Sequence, residues 1–172
     1  FDLMQKILFT VYLFILFTKL NAGQFSMSAY VHYSVDKIFA LSKDTQVLFW
    51  YNKGILTTSF GTNAKSECKG TERHTNNIIT QQFFMCEGID SEGEKVILEF
   101  NSGKGTVDAA VGNFTIVSGS GRWKEVVGVK CIGAYSQITP FENGTLQNAT
   151  AMWKGKCDVA DKTLDRLINY KN

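Results

Sequence analysis

Four cysteines, set symmetrically about two turn-forming sites, constrain this chain more than any other feature. Cys68 and Cys86 are equidistant from Asn77, inside Thr75-Asn76-Asn77. Cys131 and Cys157 are equidistant from Gly144, inside Glu142-Asn143-Gly144-Thr145. Asn-Asn and Asn-Gly accept the positive φ found at hairpin tips. A chain that folds back at each site brings the cysteines of each pair face to face on neighbouring strands. Four cysteines admit three pairings, and this symmetry selects Cys68–Cys86 and Cys131–Cys157. Each bridge closes a loop of about 20 residues, worth about 3 kcal/mol in the chain-entropy model. Buried free thiols and a metal site are the competing uses. An even count in an exported chain favours disulfides. No C-x-x-C is present and the gaps are long and irregular, so no zinc site is expected, and no metal or cofactor is implied elsewhere.

Export is read from the first 22 residues. Met4 is taken as the natural start, with Phe1-Asp2-Leu3 upstream of it. Lys6 forms a basic n-region, Ile7–Phe17 an apolar h-region, and Ala22 a small residue at a cleavage site. The apolar run is too short for a membrane span, which needs roughly 20 residues, and Thr18, Lys19 and Asn21 end it. Residues 1–22 are therefore expected to be a signal peptide and 23–172 a single domain, with no membrane association after cleavage and a periplasmic or secreted location. About 150 residues suffice for one domain with its own core. The formal charge is only +2, and basic residues do not cluster. Nucleic acid is a poor partner for such a chain, since phosphate binding needs grouped Lys and Arg. Sequons at Asn113, Asn143 and Asn148 matter only in a host that glycosylates its exports, and the leader and lysine bias read as bacterial.

Short apolar stretches bounded by Gly, Asn, Asp or Ser are the punctuation of a sheet protein. Candidate strands are Tyr30–Leu41, Val47–Tyr51, Ile55–Phe60, Ser66–Thr71, Ile78–Glu87, Lys95–Phe100, Gly105–Val111, Asn113–Val117, Val126–Ile132 and Ala149–Cys157. In the last, Ala149, Ala151, Trp153, Gly155 and Cys157 share one face, and Val127, Val129 and Cys131 share a face of its expected partner. Only the tail reads helical, over Asp158–Tyr170, with Asp161 as cap and Leu164, Leu167 and Ile168 as its stripe. Short antiparallel strands in this number must close or stack. The prediction is an all-β fold, an antiparallel up-and-down β-barrel, lipocalin-like in shape, with a short C-terminal helix. Closure removes exposed edges and leaves a lumen able to hold one small apolar ligand.

No catalytic constellation is visible. Asp90-Ser91-Glu92-Gly93-Glu94 reads as a hairpin turn, because it lacks the spaced oxygens of a calcium loop. Ser118-Gly119-Ser120-Gly121-Arg122 lacks the Gly-Lys-Ser/Thr ending of a phosphate cradle and reads as a β-turn with no helix after it. His32 and His74 read as structural or solvated, His74 within the polar tip Glu72-Arg73-His74-Thr75. Glu99 interrupts an apolar strand. Facing a dry lumen it would gain acid–base use; facing water it would be an ordinary wet-face residue. The aromatics Phe49, Trp50, Tyr51, Phe83, Phe84, Phe114, Trp123 and Trp153 fill a core or line a binding lumen. Trp50, Phe84, Glu99, Phe114 and Trp153 form the candidate lumen set.

Gly112–Cys131 reads Gly-Asn-Phe-Thr-Ile-Val-Ser-Gly-Ser-Gly-Arg-Trp-Lys-Glu-Val-Val-Gly-Val-Lys-Cys. It resembles the strand–turn–strand signature of the allene oxide cyclase-like and dirigent-like barrels, Gly-x-Phe-x-Ile-x-Gly-Gly-Thr-Gly-[Lys/Arg]-[Phe/Tyr]-x-Gly-x-x-Gly. Gly112, Phe114, Ile116, Gly119, Gly121, Arg122 and Gly128 fall on that pattern. Cys86–Lys95 is similar to a Cys-x-x-x-Asp-x-Asp-Gly-Asp-Lys turn in exported bacterial members, and Trp153-Lys154-Gly155 to their final Trp-x-Gly strand. Ser120, Trp123, Glu125 and Val126 depart from the pattern. The resemblance implies a barrel. It carries no catalytic residue across, because none of the plant cyclase's polar lumen residues matches a position here. Three functions follow as expectations: a scaffold or carrier of a small apolar molecule, a lumenal cyclase or isomerase, and a dirigent-like assembly protein that forms homo-oligomers.

Overall fold

Buried and exposed side chains alternate with a period of two along most of the chain, and that alternation is what closes the sheet. In a computed structural model, which describes residues 22–106, 108–139 and 148–171, eight strands run in chain order: β1 (Ala22–Ala40), β2 (Thr45–Thr58), β3 (Asn63–Thr75), β4 (Ile78–Asp90), β5 (Lys95–Thr106), β6 (Ala109–Gly119), β7 (Lys130–Gln137) and β8 (Ala149–Ala160). Each pairs antiparallel with its sequence neighbours, and β8 returns to β1 to complete a closed barrel. A 3₁₀ turn, Gly121–Val126, precedes β7, and helix α1 (Asp161–Ile168) follows β8. Among the described residues no helix is long and apolar enough to cross a membrane. The leader segment, Pro140 and the tip Glu142–Thr145 with its sequon lie outside the described residues.

Both cysteine pairs are disulfides. Cys68 stands opposite Cys86 in the β3–β4 ladder, and Cys131 opposite Cys157 in β7–β8. The first hairpin turns at Asn76 and Asn77, with φ of 52° and 62°, the pair of positive values that a two-residue type I′ turn requires.

Several expected boundaries are corrected. Val47–Tyr51 and Ile55–Phe60 are one strand, β2, because Gly54 lies within the ladder, paired with Val31 and Ser66. A Cβ on Gly54 would stand 1.9 Å from the Tyr30 carbonyl oxygen, so here glycine permits a close strand approach and does not punctuate. Gly105–Val111 spans the β5–β6 turn, and Asn113–Val117 continues β6. Val126–Ile132 begins as a strand only at Lys130, since Gly121–Val126 winds into the 3₁₀ turn that seats Trp123, and Val127 is exposed. Asp161 is the first helical residue and not the cap, which is Ala160. Of the helical stripe, Leu167 is buried and Leu164 packs on the core, whereas Ile168 is exposed.

That 3₁₀ turn and α1 close one end of the barrel. Trp123 is fully buried and donates its Nε1–H to Asp90 Oδ2 at 3.2 Å. Asp90 Oδ1 accepts the backbone N–H groups of Glu92 and Glu94 at 3.0 and 2.9 Å. Asp90–Glu94 is therefore a hairpin turn, with its first carboxylate turned inward to hold the plug. Phe60 sits edge-on to both Trp123 and Phe25. Arg122 ties the same end together through Glu92, Thr62 and Glu94.

Candidate functional site

A ring of aromatic side chains crosses the middle of the barrel. The register aligns Trp50 (β2), Gly70 (β3), Phe84 (β4), Phe100 (β5) and Phe114 (β6) at one level. Trp50 packs on Phe84 at 4.9 Å between ring centres, Phe84 stacks on Phe100 at 4.0 Å, Phe100 on Phe114 at 5.0 Å, and Phe114 meets Trp153 of β8 at 5.0 Å. Tyr33 of β1 closes on Trp50 at 5.1 Å. β3 and β7, which add no side chain to the ring at this level, carry glycine beside it: Gly70 against the Phe84 Cβ and backbone, and Gly133 against the Trp153 indole.

Gly70→Ala is expected to cost about 3 kcal/mol, the upper end of overpacking penalties. Its Cβ would lie 2.1 Å from Phe84 Cβ and 2.5 Å from the Phe83 carbonyl oxygen, and backbone cannot yield as a flexible side chain can. A lowered urea midpoint with an unchanged slope is the expected readout.

Beside this ring lies a cavity of about 100 Å³. Its wall takes in Asn52, Ser66 and Cys68 on the plugged side of the ring and Leu48, Glu72 and His74 on the side toward the end that carries the β1–β2, β3–β4 and β5–β6 turns. The body of its wall is apolar, with Leu48, Leu98, Ala151 and the ring side chains. Toward that end it holds a polar cluster centred on Glu72. Gln82 donates Nε2–H to Glu72 Oε1 at 2.6 Å, and His74 Nε2 lies 2.9 Å from Glu72 Oε2. Glu72, His74 and Gln82 are 6%, 2% and 9% exposed. With Nε2 engaged by the carboxylate, Nδ1 is the ring nitrogen of His74 left without a partner.

Four buried polar atoms of the wall have no hydrogen-bond partner: Trp50 Nε1, Asn52 Oδ1, His74 Nδ1 and Gln137 Oε1. Leaving such a group unpaired costs about 1–3 kcal/mol, so four around one cavity is a concentration that packing alone does not explain. Glu72 is the one carboxylate among the described lining residues, and no Lys or Arg joins it.

Two phenols share this environment. Burial above all, then the Glu72 carboxylate and Tyr135, holds the Tyr33 phenol well above its ordinary 10.0. Burial, then Glu72 and Asp108, pushes Tyr135 the same way. Both stay protonated and can donate. A pKa raised on folding contributes stability that is whole below pH 10 and is lost as pH climbs from 10 toward the folded values. Of the six tyrosines, Tyr33 and Tyr135 are expected to ionise last in an ultraviolet titration. Tyr135→Phe, which cannot ionise, should move the midpoint of alkaline unfolding upward.

The candidate residues divide. Trp50, Phe84 and Trp153 line the cavity, and Phe114 belongs to the aromatic ring. Glu99 does not face the lumen: Leu98 and Phe100 are buried on either side of it, and alternation turns Glu99 outward, where it is partly exposed. Phe49, Tyr51 and Phe83 are also outward, at 41%, 38% and 48% exposure. Glu72 and His74, read from sequence as a solvated tip, are interior. The signal that places them is parity, because they share a strand face with Cys68, which its disulfide holds inward. Phe100, absent from the candidate set, follows from the alternation of Val96, Leu98 and Phe100.

Fold and lumen together define a closed eight-stranded antiparallel barrel, plugged at one end and carrying an aromatic ring and a carboxylate-centred polar cluster inside. No protein-family model matches the chain, and no curated protein matches it significantly.

Proposed function

We propose that this chain is an exported carrier or receptor for a small molecule, bound in the barrel lumen with an apolar body against the aromatic ring and a polar group at the Glu72 cluster. The observation that carries this reading is the coincidence of a cavity with four unpartnered buried polar atoms on its wall. Size narrows the ligand. About 100 Å³ is below the 150 Å³ or so that admits benzene in an engineered apolar cavity, and far below the roughly 300–1,000 Å³ of sites for drug-sized molecules. A short branched chain suits it; an aromatic ring or an extended lipid chain does not. The two disulfides support an oxidising compartment, and we place the protein in a periplasm or outside the cell. The Gly112–Cys131 signature and the closed barrel support a relationship to the allene oxide cyclase-like and dirigent-like barrels.

Native mass spectrometry of protein purified from its own compartment tests the reading. The expected spectrum contains a small species that leaves on denaturation. A bare chain, together with no thermal shift from any of a panel of short branched-chain compounds, would sink it.

A second reading, lumenal isomerisation or ring closure, is favoured by one observation: a His–Glu pair in a dry wall beside two protonated phenols. His74 Nδ1 would take a proton and a phenol would steady the developing oxyanion. Its mark is turnover that His74→Gln abolishes while ligand affinity persists. Unchanged turnover in that variant would remove it.

A further inference from the structure

We infer that the lumen selects a small organic cation, a primary ammonium group carried on a short branched chain. This inference rests on the lumen being a binding site and adds the charge of what it holds.

Three independent features of the wall point the same way. The first is charge. Glu72 is 6% exposed and pairs with His74 Nε2 at 2.9 Å, with no Lys or Arg beside it among the described lining residues. An anion entering there meets a carboxylate in a poorly screened interior, whereas a cation is drawn to it. The second is the balance of unpartnered atoms. Asn52 Oδ1 and Gln137 Oε1 are acceptors, and Trp50 Nε1 is a donor. Gln137 spends its amide N–H on the Thr139 carbonyl at 2.5 Å, which leaves its oxygen open. An excess of acceptors calls for a ligand rich in donors. An ammonium has three N–H donors and no acceptor, whereas a hydroxyl has one donor and a ketone none. The third is the aromatic wall. Tyr33, Trp50 and Phe84 form a contiguous set of rings, and ring faces attract cations, most strongly where water is excluded.

The test compares three short branched-chain probes of closely similar shape, isobutylammonium, isobutanol and isobutyrate. Each is titrated at neutral pH against the full chain by calorimetry and by tryptophan fluorescence, with Glu72→Gln as the variant. That variant keeps the shape and an oxygen for the Gln82 bond, removes the charge, and sets an amide –NH2 against His74 Nε2. Isobutylammonium is expected to bind about tenfold or more tightly than isobutanol, with isobutyrate weakest, a gap of about 1.4 kcal/mol per tenfold. In Glu72→Gln the amine should fall to the level of the alcohol while the alcohol is unchanged. Alcohol or isobutyrate binding as well as the amine overturns the inference and leaves the lumen reading standing. Binding by none of the three overturns both. If Glu72→Gln does not fold, the ranking on the unaltered protein decides alone.

Discussion

Reduction of both disulfides is expected to lower stability by about 6 kcal/mol, the largest loss available from any small chemical change to this chain. The bridges span 18 and 26 residues, and loop closure at these lengths is worth about 3 kcal/mol each. A domain of this size has roughly 5–15 kcal/mol in total, so the reduced chain stands near its folding threshold. The two bridges are not equivalent in place. Cys68–Cys86 lines the cavity beside the aromatic ring, whereas Cys131–Cys157 joins β7 to β8 and Cys157 is fully buried. Denaturation in urea with and without reductant measures the sum, and paired Cys→Ala variants measure each bridge. Two transitions that coincide within about 1 kcal/mol would refute the chain-entropy account here.

The symmetry that predicts these bridges also explains how far the rest could be read from sequence. Cysteines equidistant from a turn reveal register, and register in a sheet fixes which residues face inward. Applied along β3 from Cys68, that parity places Gly70, Glu72 and His74 inside. Composition pulls the other way, because Glu-Arg-His-Thr next to a hairpin tip looks like a wetted turn. The chain keeps strand geometry up to Thr75 and uses a turn of only two residues, so the polar run is part of the barrel wall. Glu99 errs in the opposite sense: an apolar neighbourhood suggested the lumen, and the alternation of Leu98 and Phe100 sends it out. Burial in a barrel follows the pleat before it follows polarity.

What sequence alone could not supply is the plug. Gly119 and Gly121 mark a turn, and Trp123 is conspicuous, but a turn followed by valines reads as a hairpin. The 3₁₀ turn forms because Trp123 must reach into the barrel end. Asp90, from a different hairpin, waits there with an acceptor. That contact joins residues 33 positions apart, beyond any local pattern. The Glu72 cluster is likewise assembled across β3 and β4, with Tyr33 from β1 and Tyr135 from β7.

Trp123→Ala is accordingly expected to destabilise the barrel by about 3–5 kcal/mol, second only to loss of both disulfides. The indole is fully buried, packs edge-on against Phe60, and gives its N–H to Asp90. Truncation leaves a cavity at the closed end and removes one partner of a buried carboxylate, although Asp90 keeps the Glu92 and Glu94 N–H groups. Trp123→Phe separates the two effects. It restores most of the volume and still lacks the N–H donor, so it should lose about 1–3 kcal/mol, the cost of an unmade bond to a buried charged group. Equilibrium unfolding followed by far-ultraviolet circular dichroism reports both variants without relying on the altered tryptophan. Equal losses in the two would assign the plug to its hydrogen bond. A loss below 1 kcal/mol in Trp123→Ala would mean that this end of the barrel closes without the indole.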